Sequence, residues 1–199
     1  MPQPPPARRR LKPGARRRQI LDVATREIAA SGFRGASLAE IAENVGVSQP
    51  GLLHHFPSKA ALLLAVLEQK SAEDTAIVDE VFADAEGTVG QAITALVEVN
   101  QRDPERIRLY TVTAAESIDA GHPAHDFYLR RYQGTRARLA ERLAKDRERG
   151  RLPETLDVAE VATEILALLD GLQFQWLLDP GVDMTGPVRA YFARLYGRT

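Results

Sequence analysis

Three observations predict an all-α chain. Apolar residues recur at i, i+3, i+4 and i+7 through most of the 199 residues. No segment sustains a period-2 alternation bounded by turn signals. Proline or glycine marks most of the breaks between the periodic stretches: Pro104, Gly121, Pro123, Pro153, Pro180, Gly181 and Gly186. The expected architecture is an N-terminal three-helix helix-turn-helix unit followed by a larger C-terminal helical bundle. The expected divisions are a disordered basic arm over 1–14, the helix-turn-helix unit over 15–58 and the bundle over 59–199.

The arm, rich in Pro and Arg, cannot bury enough apolar surface to order itself. A first helix begins near Ala15, with Ile20, Leu21, Ala24 and Ile28 on one face, and ends at Ser31-Gly32. Phe33 follows as a lone apolar plug. Ser37 opens a second helix through a capping box with Glu40, and Leu38, Ile41, Ala42 and Val45 are its buried stripe. Gly46 suits a left-handed stop. Ser48 caps a short third helix with Pro50 in its first turn, and Leu52, Leu53 and Phe56 supply its apolar contacts. Pro57 ends it. Ser58 then caps a long helix from Lys59 to Phe82 that carries Leu63, Val66, Leu67, Ile77 and Val81. Further helices are expected at about 88–101, 104–118, 124–149, 156–178 and 185–196.

Composition narrows the function. With 0 Cys there is no disulfide, thiolate nucleophile or thiolate zinc site, which fits a reducing compartment. No apolar run is read as approaching the roughly 20 residues that span a bilayer, and no apolar h-region follows the N-terminal arginines. The expectation is a cytoplasmic protein with no membrane partner. Residues 1–59 hold 10 Lys and Arg against 4 Asp and Glu, while the remainder holds 16 against 23. A basic end of this kind suits a polyanion.

The stretch VSQPGLLHHF, residues 47–56, sits inside that basic end. His54 and His55 are neighbours about 100° apart on a helix, so they cannot chelate a metal as an i,i+4 pair can. Ser48 and Ser58 are caps rather than nucleophiles. A DNA-reading helix explains the features together: its N-terminal residues face base edges and Gly51 permits close approach. Gln49 can pair bidentately with adenine, an imidazole can donate to base or phosphate, and Lys59 stands at a helix N-terminus that favours phosphate.

FRGASLAEIAENVGVSQPGLLHHFPSKAALLLAV resembles the DNA-binding domain of the tetracycline-repressor (TetR) family of bacterial transcriptional regulators. The close likeness spans about residues 16–67; beyond Leu67 only length and helical plan are similar. The resemblance implies a DNA site set of Ser37, Ser48, Gln49, Gly51, Leu52, His54, His55 and Lys59. His55 holds the commonly phosphate-binding position. Leu53 stands where the family usually has a phosphate-contacting Tyr, so that hydroxyl contact is absent. Arg8, Arg9, Arg10, Lys12, Arg16, Arg17 and Arg18 would form an arm that follows the backbone or enters the minor groove.

The two final helices have apolar stripes. Val188, Tyr191, Phe192, Leu195 and Tyr196 line one face, and the helix before it is apolar on more than one face. An inverted-repeat operator needs a two-fold dimer, and the resemblance also places dimerisation on these helices. The expected interface is Leu169, Leu172, Trp176, Val188, Tyr191, Phe192 and Leu195, forming a four-helix bundle. The middle helices should enclose a pocket for an unknown small-molecule effector, with Tyr110, Thr113, Glu116, Ser117, Tyr128 and Gln173 as candidates. Asp119, His122, His125 and Asp126 could ligate a metal, but Gly121 and Pro123 make this segment a loop and cap. No metal, cofactor or enzymatic constellation is therefore assigned. The expected function is a ligand-responsive regulator, foremost a repressor released from its operator by an effector. The alternative is a DNA-binding regulator or architectural protein without an effector, and an enclosed cavity discriminates between them.

Overall fold

A computed structural model describes residues 13–84 and 86–197. Among these residues there are nine helices and no strand. Most of the expected arm, residues 1–12, lies outside the described residues. Arg16, Arg17 and Arg18, expected on the arm, instead belong to α1 (Pro13–Gly35). Arg16 Nη1 donates to Val45 O at 3.2 Å, and the Arg17 guanidinium lies 5.1 Å from the Phe56 ring centroid. Two of these cations thus fasten the first helix to the helix-turn-helix.

The expected end of α1 at Gly32 is a kink rather than a stop. Gly32 adopts φ 70 and ψ 176, a left-handed φ that favours glycine, and helical structure resumes to Gly35. α2 (Leu38–Val45) begins at Ser37, whose hydroxyl accepts from Glu40 N. The capping box is only half formed, since no reciprocal Glu40 bond is recorded among the described residues. A complete box stands at Thr88 and Gln91, where side chain and backbone bond in both directions. α2 closes as a Schellman turn, with Val47 N donating to Ala42 O and Gly46 N to Glu43 O, both at 2.9 Å. α3 (Gln49–His55) and α4 (Lys59–Ala83) follow, each capped by a serine.

Ile20, Leu21, Ile28, Ile41, Leu52, Leu62, Leu63 and Leu67 are fully buried in a core shared by α1–α4. That core continues past residue 58 into the first half of α4. It also takes in Leu109 of α6 (Pro104–Glu116) and Tyr128 of α7 (His125–Glu148). A second core joins α5 (Val89–Gln101), α7, α8 (Val158–Leu178) and α9 (Thr185–Leu195).

α8 corrects one expectation. By length and composition it is long and apolar enough to cross a membrane, with a mean hydropathy of 1.2. Glu160, Glu164 and Asp170 break its apolar residues into short runs, so that no single long run stands out in the sequence. Here α8 packs along α7 and α6.

Between the two cores, α4, α6 and α7 are tied by buried charge. Arg106 is buried and donates to Asp74 at 2.8 Å and to Glu73 at 2.6 Å, and Arg131 donates to Asp74 at 3.0 Å. Burial opposes the charge of Arg106, but Asp74, Glu73 and Asp103 outweigh it and raise its pKa. Asp74→Ala would leave two guanidiniums without their shared counter-charge and should cost about 3–5 kcal/mol of folding stability. A urea-denaturation midpoint unchanged from wild type would contradict this role for Asp74.

Candidate nucleic-acid interface and bundle cavity

The short helix α3 exposes its N-terminal turn. Ser48, Gln49 and Pro50 are exposed, as is His54, while Gly51, Leu53 and His55 are half-buried. The Ser48 hydroxyl accepts from Gly51 N at 3.2 Å, and a Cβ on Gly51 would stand 3.2 Å from that same oxygen. The glycine therefore keeps the cap tight. His54 and His55 make an edge contact with centroids 6.0 Å apart and share no metal geometry.

Four members of the expected DNA site set do structural work. Leu52 is 0% exposed and belongs to the core, so it cannot reach a base. Its place at the first inward position after the cap makes it the residue that seats α3. Ser37 and Ser48 serve as helix caps. Lys59 remains half-exposed, but its ammonium donates to Arg34 O at 3.1 Å and lies 4.9 Å from the Phe33 centroid. It therefore caps the C-terminus of α1.

The bundle holds a cavity of about 450 Å³, partly open to solvent, among α4, α5, α6, α7 and α8. Of the six pocket candidates, Tyr110, Tyr128 and Gln173 line it. Thr113 does not: it is 0% exposed, and its hydroxyl pairs with Tyr128 OH at 2.7 Å behind the wall. Glu116 and Ser117 also lie elsewhere, one turn further along α6, against α1 and the α6–α7 turn. α4 meets the cavity through Asp74, Thr75, Val78 and Phe82, a face that excludes Ile77 and Val81.

Sequence reasoning missed Asp74, Asn100, Arg131, Tyr132 and Asp170 in the wall. No local signal in the sequence marks Asp74, which sits in the polar run Glu68-Gln69-Lys70-Ser71-Ala72-Glu73-Asp74-Thr75. Arg131 stacks on Tyr110 at 4.3 Å from the ring centroid. Burial opposes its charge, yet Tyr110 and Asp74 hold its pKa up. Burial raises Asp170 above the usual carboxylate range, against the bond from Tyr132, whose own pKa burial and Asp170 push up to about 12. The cavity thus pairs an aromatic wall with charges that are mostly matched inside the protein, suiting a largely apolar guest.

The expected dimer face is also corrected. Leu169, Leu172, Trp176, Val188 and Phe192 are buried within the subunit, while Tyr191 and Leu195 are half-buried beside them. Their stripe packs inward because α9 lies on α5, where Phe192 sits so close that a Cβ on Gly90 would meet it at 3.0 Å. The other face of α8 is open: Leu178 is 73% exposed, in line with the exposed Ala167 and Gly171, and Phe174, 55% exposed, stands where this face borders the cavity. The loop acids and histidines do not converge either. Asp119 turns to Arg34, His125 Nδ1 to Ser117 O, and among the described residues no three potential ligands gather.

Comparison with known proteins agrees with this arrangement. Residues 20–66 match the family of bacterial regulatory proteins described as tetR family, and residues 75–195 match the BetI-type transcriptional repressor C-terminal domain. The chain belongs to the TetR family. It is 31% identical over 163 residues to the HTH-type transcriptional repressor AcnR of Corynebacterium diphtheriae, covering 78% of each chain. It is 27% identical over 187 residues to the HTH-type transcriptional regulator EthR of Mycolicibacterium smegmatis, covering 89% of this chain and 84% of that one. A TetR-family regulator from Agrobacterium tumefaciens superposes with a TM-score of 0.80 at 19% identity, over 93% of this chain and 100% of the other. TetR-family members are DNA-binding transcriptional regulators rather than enzymes, and they typically dimerise.

Proposed function

We propose that this TetR-family regulator is a repressor that grips an inverted-repeat operator as a homodimer and releases it when a small molecule fills the bundle cavity. One observation carries the reading. α4 is a single 25-residue helix that begins directly after the recognition turn and walls the cavity with its distal half. At 1.5 Å per residue it is about 37 Å long, so a small tilt at the cavity moves α3 appreciably. Two recognition helices must dock about 34–36 Å apart on one DNA face, and a shift of a few ångströms spoils that fit. A pocket of this size with a largely apolar, aromatic wall, although partly open to solvent, favours this reading over an architectural protein with no effector. Such a regulator acts where the DNA is, in the cytoplasm.

In this reading Gln49 and His54 face base edges and His55 faces phosphate, while Lys59 contributes through the α1 cap. Gln49→Ala should relax preference at one base pair by about 1–3 kcal/mol, because only base-edge contacts carry sequence information. A panel of base-substituted duplexes, built on sites selected from a random pool, reads this directly. Unchanged affinity and preference would move recognition off α3.

The open α8 face is where a second copy would sit. Leu178→Arg and Ala167→Arg introduce charge at exposed positions, so the subunit should keep its helical fold while the dimer dissociates. Sedimentation velocity would reveal monomers with native circular dichroism. A dimer of wild-type affinity in both variants would exclude this face.

A further inference from the structure

The end of α6 meets the kink of α1. Glu116, the last residue of α6, accepts the Phe33 N–H through Oε2 at 2.8 Å. A Cβ on Gly32 would stand 2.6 Å from Glu116 Oε1, so the carboxylate fits against a position only glycine can fill. His122, in the turn after α6, packs edge-on to the Phe33 ring at 5.1 Å, and Lys59 holds the same ring. The helix that walls the cavity through Tyr110, Thr111 and Ala114 therefore also holds the helix-turn-helix unit.

His122 is buried, and its hydrogen bonds do not balance in either neutral form. Nδ1 lies 2.9 Å from Ser117 Oγ and 3.3 Å from Ala124 N, while Nε2 is buried without a partner, 3.8 Å from Glu116 Oε2. Ser117 Oγ also donates to Thr113 O at 2.6 Å. If Nδ1 is bare, it accepts from Ala124, but the one Ser117 proton cannot serve both Nδ1 and Thr113. The Nε2 proton then has no acceptor within bonding distance. If Nδ1 carries the proton, Ala124 N–H loses its acceptor and the Nε2 lone pair faces a carboxylate. The imidazolium also gives up the Ala124 N–H, with Nδ1–H turning to Ser117 Oγ, but it sets a charged Nε2–H against the Glu116 carboxylate.

We propose that this turn is a proton-operated latch: a proton taken up from solvent by His122 draws Glu116 off the Phe33 N–H and frees the end of α1 from the bundle. Bringing Oε2 from 3.8 Å to a charge-assisted bond requires a movement of about 1 Å, enough to lengthen the Phe33 bond. The charged groups around the ring are Glu116 on α6, Asp119 in the turn, Arg34 on α1 and Lys59 on α4 beyond Phe33, with His125 on α7 bonded to Ser117 O. Burial holds His122 below its ordinary 6.5; Glu116 and Asp119 oppose this and Arg34 reinforces it. A histidine with a depressed folded pKa binds its proton more readily when unfolded. The closed latch is therefore fully stable above about pH 6.5 and loses stability as pH falls below that value.

Amide NMR of the full-length, DNA-free protein tests the latch independently of the operator reading. In the wild type, the Phe33 amide proton should move upfield below pH 6.5 along the titration curve of the His122 ring. In His122→Gln and His122→Asn the inflection should vanish. In Glu116→Gln the ring should still titrate while the Phe33 signal no longer follows it. A Phe33 signal that ignores the wild-type His122 titration overturns the latch. So does an inflection that persists in both His122 variants, because His122 would then not be its source. Affinity for a duplex selected from a random pool should fall by roughly 5- to 150-fold across the same window in the wild type. It should not fall in His122→Gln. An equal acid loss in His122→Gln would remove the latch from DNA binding.

Discussion

Asp74 receives two guanidiniums inside the bundle, from Arg106 on α6 and Arg131 on α7. A buried carboxylate with two cationic partners fixes three helices at once, because it pairs a charge on α4 with one on α6 and one on α7. The cavity lies against that cluster, with Asp74 and Arg131 in its wall. α4 is thus pinned at its middle by charge, while its N-terminal half is pinned by Leu62, Leu63, Val66 and Leu67 in the first core. A rigid helix held at these two places transmits displacement rather than absorbing it.

The second route between the two ends runs through α6. Its first turn carries Arg106, its middle the cavity wall, and its last residue the contact with α1. The carboxylate of Glu116 stands at the negative end of a helix dipole, an unfavourable place offset by the Phe33 N–H. α1 and α4 are in turn joined by Lys59, which caps one and starts the other. The recognition helix therefore depends on two elements that both touch the cavity.

Local patterns in the chain account for the helices and for the family likeness. Caps at Ser37, Ser48 and Ser58 and the left-handed Gly46 act within a few residues, so their outcome is legible from sequence. What fails is the choice among faces. α8 is apolar around much of its surface, and periodicity cannot say which stripe meets its own subunit; Leu172 and Trp176 turned inward and Phe174 and Leu178 outward. Leu52 matched a binding motif by position yet serves the core, since a motif records spacing and not direction. Glu116 and Ser117 looked like pocket residues because they share a helix with Tyr110. Their actual partners, Phe33 and His122, depend on how α1 crosses α6, which no local pattern specifies. The ion cluster was hidden for the same reason, its members being separated by about thirty residues or more.

Cavity occupancy and DNA binding are expected to be one linked equilibrium, and the most direct measurement is a ligand's affinity with and without operator. A compound that raises the melting temperature of the free protein would be titrated into free protein and into protein saturated with its selected duplex. Binding weaker by about 5- to 150-fold in the presence of DNA is the predicted result, a coupling of about 1–3 kcal/mol. Equal affinities would contradict the linkage, since a ligand that does not distinguish two states cannot shift them. Tighter binding in the presence of DNA would contradict release and make the ligand a co-repressor.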